Sequence, residues 1–413
     1  MTQHTTRMLR TGLVALGIAG MVGLTACSSA STPDGTGDAG GAFTLWDPYP
    51  QFDADSAWAT TLDQCAADAG VTITRDSTDQ SSLISKLLLA AQQNNAPDIA
   101  IIDNPLVASV AETGLLATND ELGFDTSDML PNILAAANLE GETYGVPVGS
   151  NTLALFYNKT ILDELGIEPP TTWDELKAGV AAATAAGHEG IGFSAVGTEE
   201  GTFQFLPFFW GAGAHLETLD SPEAVESLAL WTDFVKSGGA SANVLNSTQA
   251  DINDQFLGGN LAFQVNGSWQ LAGLDAGDVD YGVVPVPGID GGSAPAPLGG
   301  EFFTLPVNAD AERQAIAVEI VECMTDPANA QNWIAGLTYI LPEPEAQAEQ
   351  AAQSPELAAF VDAVAAAQGR TSDLGTDYPR HSEQIWTALQ EAISGAKTPE
   401  QALTDAQATI DAG

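Results

Sequence analysis

The sequence predicts an α/β protein whose largely parallel strands are flanked by helices on both faces. Two observations carry this. Short apolar runs alternate with stretches of helical spacing in a β-α-β-α-β order, which needs crossover helices. The 413 residues, 45% of them hydrophobic, also hold enough apolar material for two or three globular units.

The first strand is Phe43-Thr44-Leu45-Trp46, closed by Asp47-Pro48. Trp58, Leu62, Cys65 and Ala69 then recur at helical spacing after Ser56, and Gly70 ends that helix. Residues 71–74 alternate as a strand, 83–93 form a helix, and 97–103 form a buried strand. Ligands of such sheets lie beyond the carboxyl ends of the strands. That rule selects Trp46, Asp47, Asp103 and Asn104 as candidate ligand contacts. Further on, Thr172 with Glu175 and Thr398 with Gln401 have capping-box spacing, and Pro222 and Pro399 suit first helical positions. No repeat of 20–50 residues is present, which disfavours a solenoid or propeller.

Charge narrows the partners. With 55 Asp and Glu against 11 Lys and Arg, the formal net charge is −44. Nucleic acid and anionic lipid surfaces both demand a basic face, so neither is expected as a partner. The paucity of cations also disfavours phosphorylated or strongly acidic ligands, which need cationic clamps. Histidines at 4, 188, 215 and 381 share no metal-ligand spacing, and no CxxC, HExxH, GxSxG or phosphate-loop motif appears. No metal or cofactor is therefore expected. Asp275, Asp278 and Asp280 read as a solvated acidic loop, because EF-hand spacing is missing. Cys65 and Cys323 lie on apolar helix stripes, which favours two separately buried thiols over a disulfide.

At the start of the chain, Arg7 and Arg10 precede a short apolar stretch over residues 11–24. This is the layout of a secretory signal segment, expected over 1–26. Leu24-Thr25-Ala26-Cys27 resembles a bacterial lipoprotein lipobox, which implies lipidation of Cys27 after cleavage. The Ser-, Gly- and Thr-rich residues that follow read as a flexible tether, so 27–42 is expected to be a lipid-anchored linker. The folded body would then lie outside the cytoplasmic membrane, touching it only through the lipid.

A set of motifs in order along the body carries a family resemblance. It comprises Gly141-Glu142-Thr143-Tyr144-Gly145-Val146-Pro147, Asn151-Thr152-Leu153 through Lys159, and Pro169-Pro170-Thr171-Thr172-Trp173-Asp174-Glu175-Leu176. Phe256-Leu257-Gly258-Gly259-Asn260, Asn266-Gly267-Ser268-Trp269, residues 281–287 and Leu298-Gly299-Gly300-Glu301 follow. The ordered set resembles the extracellular solute-binding proteins of carbohydrate ABC importers, the maltose-binding-protein-like branch. The resemblance implies a two-lobed periplasmic-binding-protein-like clamp, each lobe a mainly parallel sheet flanked by helices. Three hinge crossings are expected near residues 149–152, 299–302 and 339–343. Lobe one would comprise 43–149 plus 300–340, and lobe two 150–299 plus 341–413.

The same resemblance implies capture of a neutral mono- or oligosaccharide between the lobes by a monomer, without catalysis. Delivery to the transmembrane subunits of an ABC permease would follow. Sugar faces stack on aromatic rings while carboxylates and amides take the hydroxyl edges. Trp46, Tyr49, Trp210, Trp269, Tyr339 and Tyr378, in or beside expected loops, are the aromatic candidates, with Trp269 favoured by its motif. Trp173 reads as core, and Trp386 as either core or ligand wall. Asn151 and Glu301 are polar candidates at the first two crossings, and Arg380 is a cation close to the expected cleft. The rival readings are a secreted glycoside hydrolase or lyase, since acidic pairs abound, and a lipoprotein scaffold without a small ligand.

Overall fold

The computed structural model describes residues 42–353 and 355–412. The expected signal segment 1–26, Cys27 and all of the expected linker except Ala42 lie outside the described residues.

Nine strands build the two main sheets: β1 (Phe43–Asp47), β2 (Ile73–Ser77), β3 (Ile99–Asp103), β4 (Val146–Pro147), β5 (Leu153–Asn158), β6 (Glu189–Gly192), β7 (Leu261–Gly267), β8 (Tyr281–Val284) and β9 (Glu301–Thr304). The first sheet has the order β2-β1-β3-β9-β4, and the second the order β8-β5-β7-β6. Each sheet belongs to one lobe. Helices cover their faces, so the unbroken apolar run Ile99–Ile102 of β3 is buried, and only Asp103 at its end is partly exposed.

The sheets are mixed rather than mainly parallel. β1 pairs in parallel with β2 and β3, but β9 runs antiparallel to β3 and β4. In the second sheet only β6 and β7 are parallel. The reason lies in the crossings. β3 runs toward the lobe junction and ends there at Asp103, whereas β9 enters its sheet from the junction and begins there at Glu301. The two residues are direct partners in the ladder. Likewise β5 leaves the junction at Leu153, opposite Gly267, where β7 arrives.

The first two crossings run side by side at the junction, and Ile340 of lobe one lies alongside the first. The chain does not cross at residues 339–343 as expected, because it stays on lobe one through the helix Pro344–Ala351. Ser150 and Ile340 exchange two backbone hydrogen bonds of 2.8 and 2.7 Å, and Asn151 and Gly299 exchange two of 3.2 and 2.8 Å. Gly300 has φ +109°, and a Cβ there would lie 2.1 Å from the Gly149 carbonyl oxygen. Only glycine lets the second crossing lie this close to the first.

Local signals act mostly as expected. Thr398 forms a capping box with Gln401 and starts the helix Pro399–Asp411. Thr172 caps the helix Trp173–Ala186 alone, because the Glu175 carboxylate turns back to the Thr171 amide and hydroxyl. Asp280 pairs with Lys159 and Asp275 accepts from the Tyr281 hydroxyl. Among the described residues no three His, Cys, Asp or Glu side chains converge as metal ligands would.

Two expectations need correction. Cys65 and Cys323 form a disulfide, with Cα atoms 5.6 Å apart. Their apolar positions did indicate burial, but the helices Ala57–Asp68 and Ala311–Thr325 pack against each other and bring the thiols together. The helix Pro344–Ala351, expected in lobe two, instead packs on lobe one. Ala346 joins Trp333 and Leu341 in that core, and Gln347 and Gln350 donate to the carbonyls of Leu341 and Tyr339. The next helix, Pro355–Ala365, does reach the second lobe, where Phe360 meets Phe156 of β5.

Candidate functional site

A cavity of about 680 Å³ lies at the lobe junction. Lobe one contributes Tyr49, Asp103, Glu301 and Tyr339, and lobe two contributes Glu199, Glu200, Phe203, Gln249, Trp269 and Trp386. Asn151 and Gly299–Gly300 of the crossings line it as well. Asp103 and Glu301 stand at strand ends, as open α/β sheets dictate, whereas Glu199, Glu200 and Gln249 come from the first turns of helices.

Trp269 stands just past the end of β7, within the single turn Ser268–Gln270. Its ring folds back over Gly267, where a Cβ would lie 2.0 Å from the indole. It also meets Phe203 at 6.2 Å between ring centroids, and it packs against the cores of both lobes. A half-buried aromatic face held this way is suited to an apolar ligand surface.

Glu301 opens β9 directly after the second crossing. Its carboxylate accepts from the Tyr49 hydroxyl at 2.9 Å and from the Tyr339 hydroxyl at 3.3 Å. Burial, with the Asp103 charge nearby, pushes its pKa up to about 7 despite these two donors. The tyrosines shift upward too, by burial and by the Glu301 charge, so both remain protonated donors.

On the opposite wall, Glu200 accepts from the Ser194 hydroxyl at 2.8 Å and the Gln249 amide at 2.7 Å, both on one oxygen. Burial raises its pKa in spite of these contacts. Glu199 accepts from the Tyr378 hydroxyl at 2.7 Å and from the Ser382 hydroxyl, and burial likewise raises its pKa.

Between the walls lies Arg370, with a side chain only 2% exposed. Its donors reach Asp103 at 2.7 and 3.3 Å, Glu199 at 2.7 Å, Asn104 at 3.0 Å and the Leu298 carbonyl at 3.3 Å. Burial works against its charge, but Asp103 and Glu199 outweigh that and hold the guanidinium protonated. It also lies over the Phe203 ring, 4.8 Å from the centroid.

The residues selected from sequence thus divide. Asp103, Asn151, Trp269, Glu301 and Tyr339 meet on the cavity. Asn104 sits one layer behind, buried against Leu298 and Arg370. Asp47 is fully buried and committed to Arg75, the Trp58 indole and the Tyr49 amide, so it builds the interior and does not line the cavity. Trp46 is covered by Lys86, whose Nζ lies 4.2 Å from its ring centroid, away from the cavity lining. Trp210 belongs to the second-lobe core. Arg380 is absent from the lining; the cavity's cation is Arg370.

Sequence reasoning missed Arg370, Glu199, Glu200 and Phe203. Arg370 stands in Gln368-Gly369-Arg370, after the apolar helix Pro355–Ala365, where Gly and Arg break the pattern. Glu199 and Glu200 look like ordinary first-turn acids, and nothing local reveals their burial.

Comparison with known proteins decides the family. Residues 60–361 match the family described as "Bacterial extracellular solute-binding protein". The chain belongs to this family. Its matches to curated relatives are partial. It spans little more than half the length of Brucella abortus relatives (57%) at 25% identity. It is 29% identical to the maltotriose-binding protein of Pyrococcus abyssi over 229 residues, 53% of this chain and 48% of that one. Solved structures match over nearly their whole length. The cyclic α-maltosyl-1,6-maltose binding protein of Arthrobacter globiformis shares 26% identity at a TM-score of 0.73, covering 90% of this chain and 98% of that one. As a solute-binding protein, the chain has the family's two-lobed fold with its cavity between the lobes.

Proposed function

We propose that this solute-binding protein captures a neutral mono- or oligosaccharide between its lobes outside the cell. It then delivers the sugar to the transmembrane subunits of an ABC permease. The observation that carries this reading is the junction cavity, where the Trp269 and Tyr339 rings stand beside Asp103, Asn151, Glu200 and Glu301. Rings suit the C–H faces of a pyranose, and the carboxylates and amides suit its hydroxyl edges. Relatives named for maltotriose and for a cyclic maltosyl-maltose support the same ligand class. Anionic sugars fit poorly, because the five N–H groups of Arg370 already have five protein acceptors.

The protein acts as a binder rather than a glycoside hydrolase or lyase, in keeping with its family. The lining contains no His or Cys, and Glu199 and Asp103 are held by Arg370. It works as a monomer, anchored by lipid on Cys27 after removal of residues 1–26.

The test is calorimetric titration with glucose, maltose and maltotriose, followed by product analysis after long incubation. Saturable binding without product is expected, and a ligand at 100 times its Kd should stabilise the fold by about 2.7 kcal/mol. Turnover would establish the enzyme instead, and a melting temperature unmoved by any sugar would favour a scaffold. For the anchor, Cys27→Ala should release the protein from membranes; unchanged fractionation would remove that part of the reading.

A further inference from the structure

We propose that Arg370 is a positioning residue that ties the two lobes together and sets the angle at which they face the ligand. The inference rests on the junction cavity being the binding site, but it concerns the lobes themselves. Arg370 belongs to a segment running alongside the second crossing: the Gln368 amide donates to the Ala296 carbonyl, and the Leu298 amide donates to the Gln368 carbonyl. From there the guanidinium reaches in two directions. Toward lobe one it takes both oxygens of Asp103 and the Asn104 amide oxygen, at the end of β3. Toward lobe two it takes Glu199, the first residue of the helix Glu199–Gly211.

Every donor of the guanidinium is used and none is left for a ligand. An arginine in a cavity that fills all its hydrogen bonds with protein groups from both walls is a strut. Its planar fork suits this task, since three acceptor atoms on one side and one on the other fix its plane. Glu199 is fixed in turn by the Tyr378 and Ser382 hydroxyls of the helix Tyr378–Ile393. The tie therefore connects the end of β3 to two helices of the second lobe. Rotation of the lobes about the three crossings must stretch the Arg370–Glu199 contact or the Arg370–Asp103 contact. Charged hydrogen bonds at a buried site are strong, so the tie favours the closed arrangement.

The charge count makes this testable without unfolding the site. One guanidinium faces two carboxylates, so removing either acid leaves a neutral pair and no buried lone charge. Glu199→Ala cuts the tie to lobe two, and Asp103→Ala cuts it to lobe one. Small-angle scattering of the ligand-free protein is the readout, with far-UV circular dichroism to establish folding. Each variant should have a larger radius of gyration than wild type at unchanged helix content. Glu199→Gln, which retains an acceptor, should return most of the way. Association of maltotriose, measured by stopped-flow Trp fluorescence, should accelerate about tenfold in Glu199→Ala as the open population rises. A merely structural role would not speed binding. Folded variants with the wild-type radius of gyration overturn the proposal. That scattering result does not depend on whether maltotriose binds, so a wrong ligand class and a wrong strut give different outcomes.

Discussion

Replacing Trp269 with alanine tests the stacking role of the junction most directly. The ring is half-buried, with its covered side against Gly267 and Phe203 and the remainder on the cavity. A sugar face lying on that remainder would cover about 80 Å² of apolar ring. At about 25 cal/mol per Å² this amounts to about 2 kcal/mol, or about thirtyfold in Kd. The folding cost of the same change should be below the about 3–5 kcal/mol typical of a fully buried Trp, because part of the ring is already exposed. Titration with maltotriose gives the Kd, and thermal melting of the ligand-free variant gives the stability. The expected pattern is a large loss of affinity with a modest loss of stability. Near-normal affinity combined with a collapse of the melting temperature would refute the stacking role and return Trp269 to the core.

Other changes probe the frame around the site. Glu301 holds its proton up to about pH 7 in the folded protein but only to about 4.5 when unfolded. The fold should therefore lose stability as pH rises from 4.5 through 7, by up to about 3 kcal/mol at about 1.4 kcal/mol per pH unit. Glu301→Gln should flatten that slope in urea denaturation; an unchanged pH profile would count against it. Replacing both Cys65 and Cys323 with alanine removes a link between residues 258 apart and should cost about 5 kcal/mol, read as a lower denaturation midpoint. An unmoved midpoint would mean that helix packing alone suffices. Gly300→Ala places a Cβ against the Gly149 carbonyl and strains the second crossing, so it should destabilise by about 1–3 kcal/mol. A neutral effect on urea unfolding would show that the crossing yields.

Much of the architecture was legible in local signals. Hydrophobic period found β1, β3 and the helix carrying Cys65, and proline after Ser221 and Thr398 found two helix starts, because these depend on neighbours in the chain. The strand-end rule selected Asp103, which lines the cavity, but also Asp47, which ends β1 in the same sheet and does not. The difference is set by Arg75, a β2 residue whose guanidinium takes the Asp47 carboxylate into the interior. Strand direction failed for a related reason. The β-α-β order was read correctly at the start of the chain, but β9 returns through a crossing and reverses.

The cavity's electrostatics were the least legible part, and the cause is physical. Whether a carboxylate binds a ligand or supports another side chain depends on which cation reaches it, and here that cation comes from far along the chain. Arg370 meets Asp103 across 267 residues and Glu199 across 171. Neither distance leaves a periodic trace. Arg380 was the natural choice by position, since it stands in the same stretch as Tyr378 and Trp386, which both line the cavity. Ten residues earlier, the chain runs beside the second crossing, and that pairing brings Arg370 to both walls at once. A strongly acidic chain with few cations makes each buried arginine a structural decision. Arg75, Arg313 and Arg370 all spend their guanidinium on an aspartate at or near a strand end of the first sheet: Asp47, Asp98 and Asp103. Of these aspartates the third lines the cavity, and its arginine reaches the other lobe as well. That second contact is what turns a repeated stabilising pair into a link across the junction cavity.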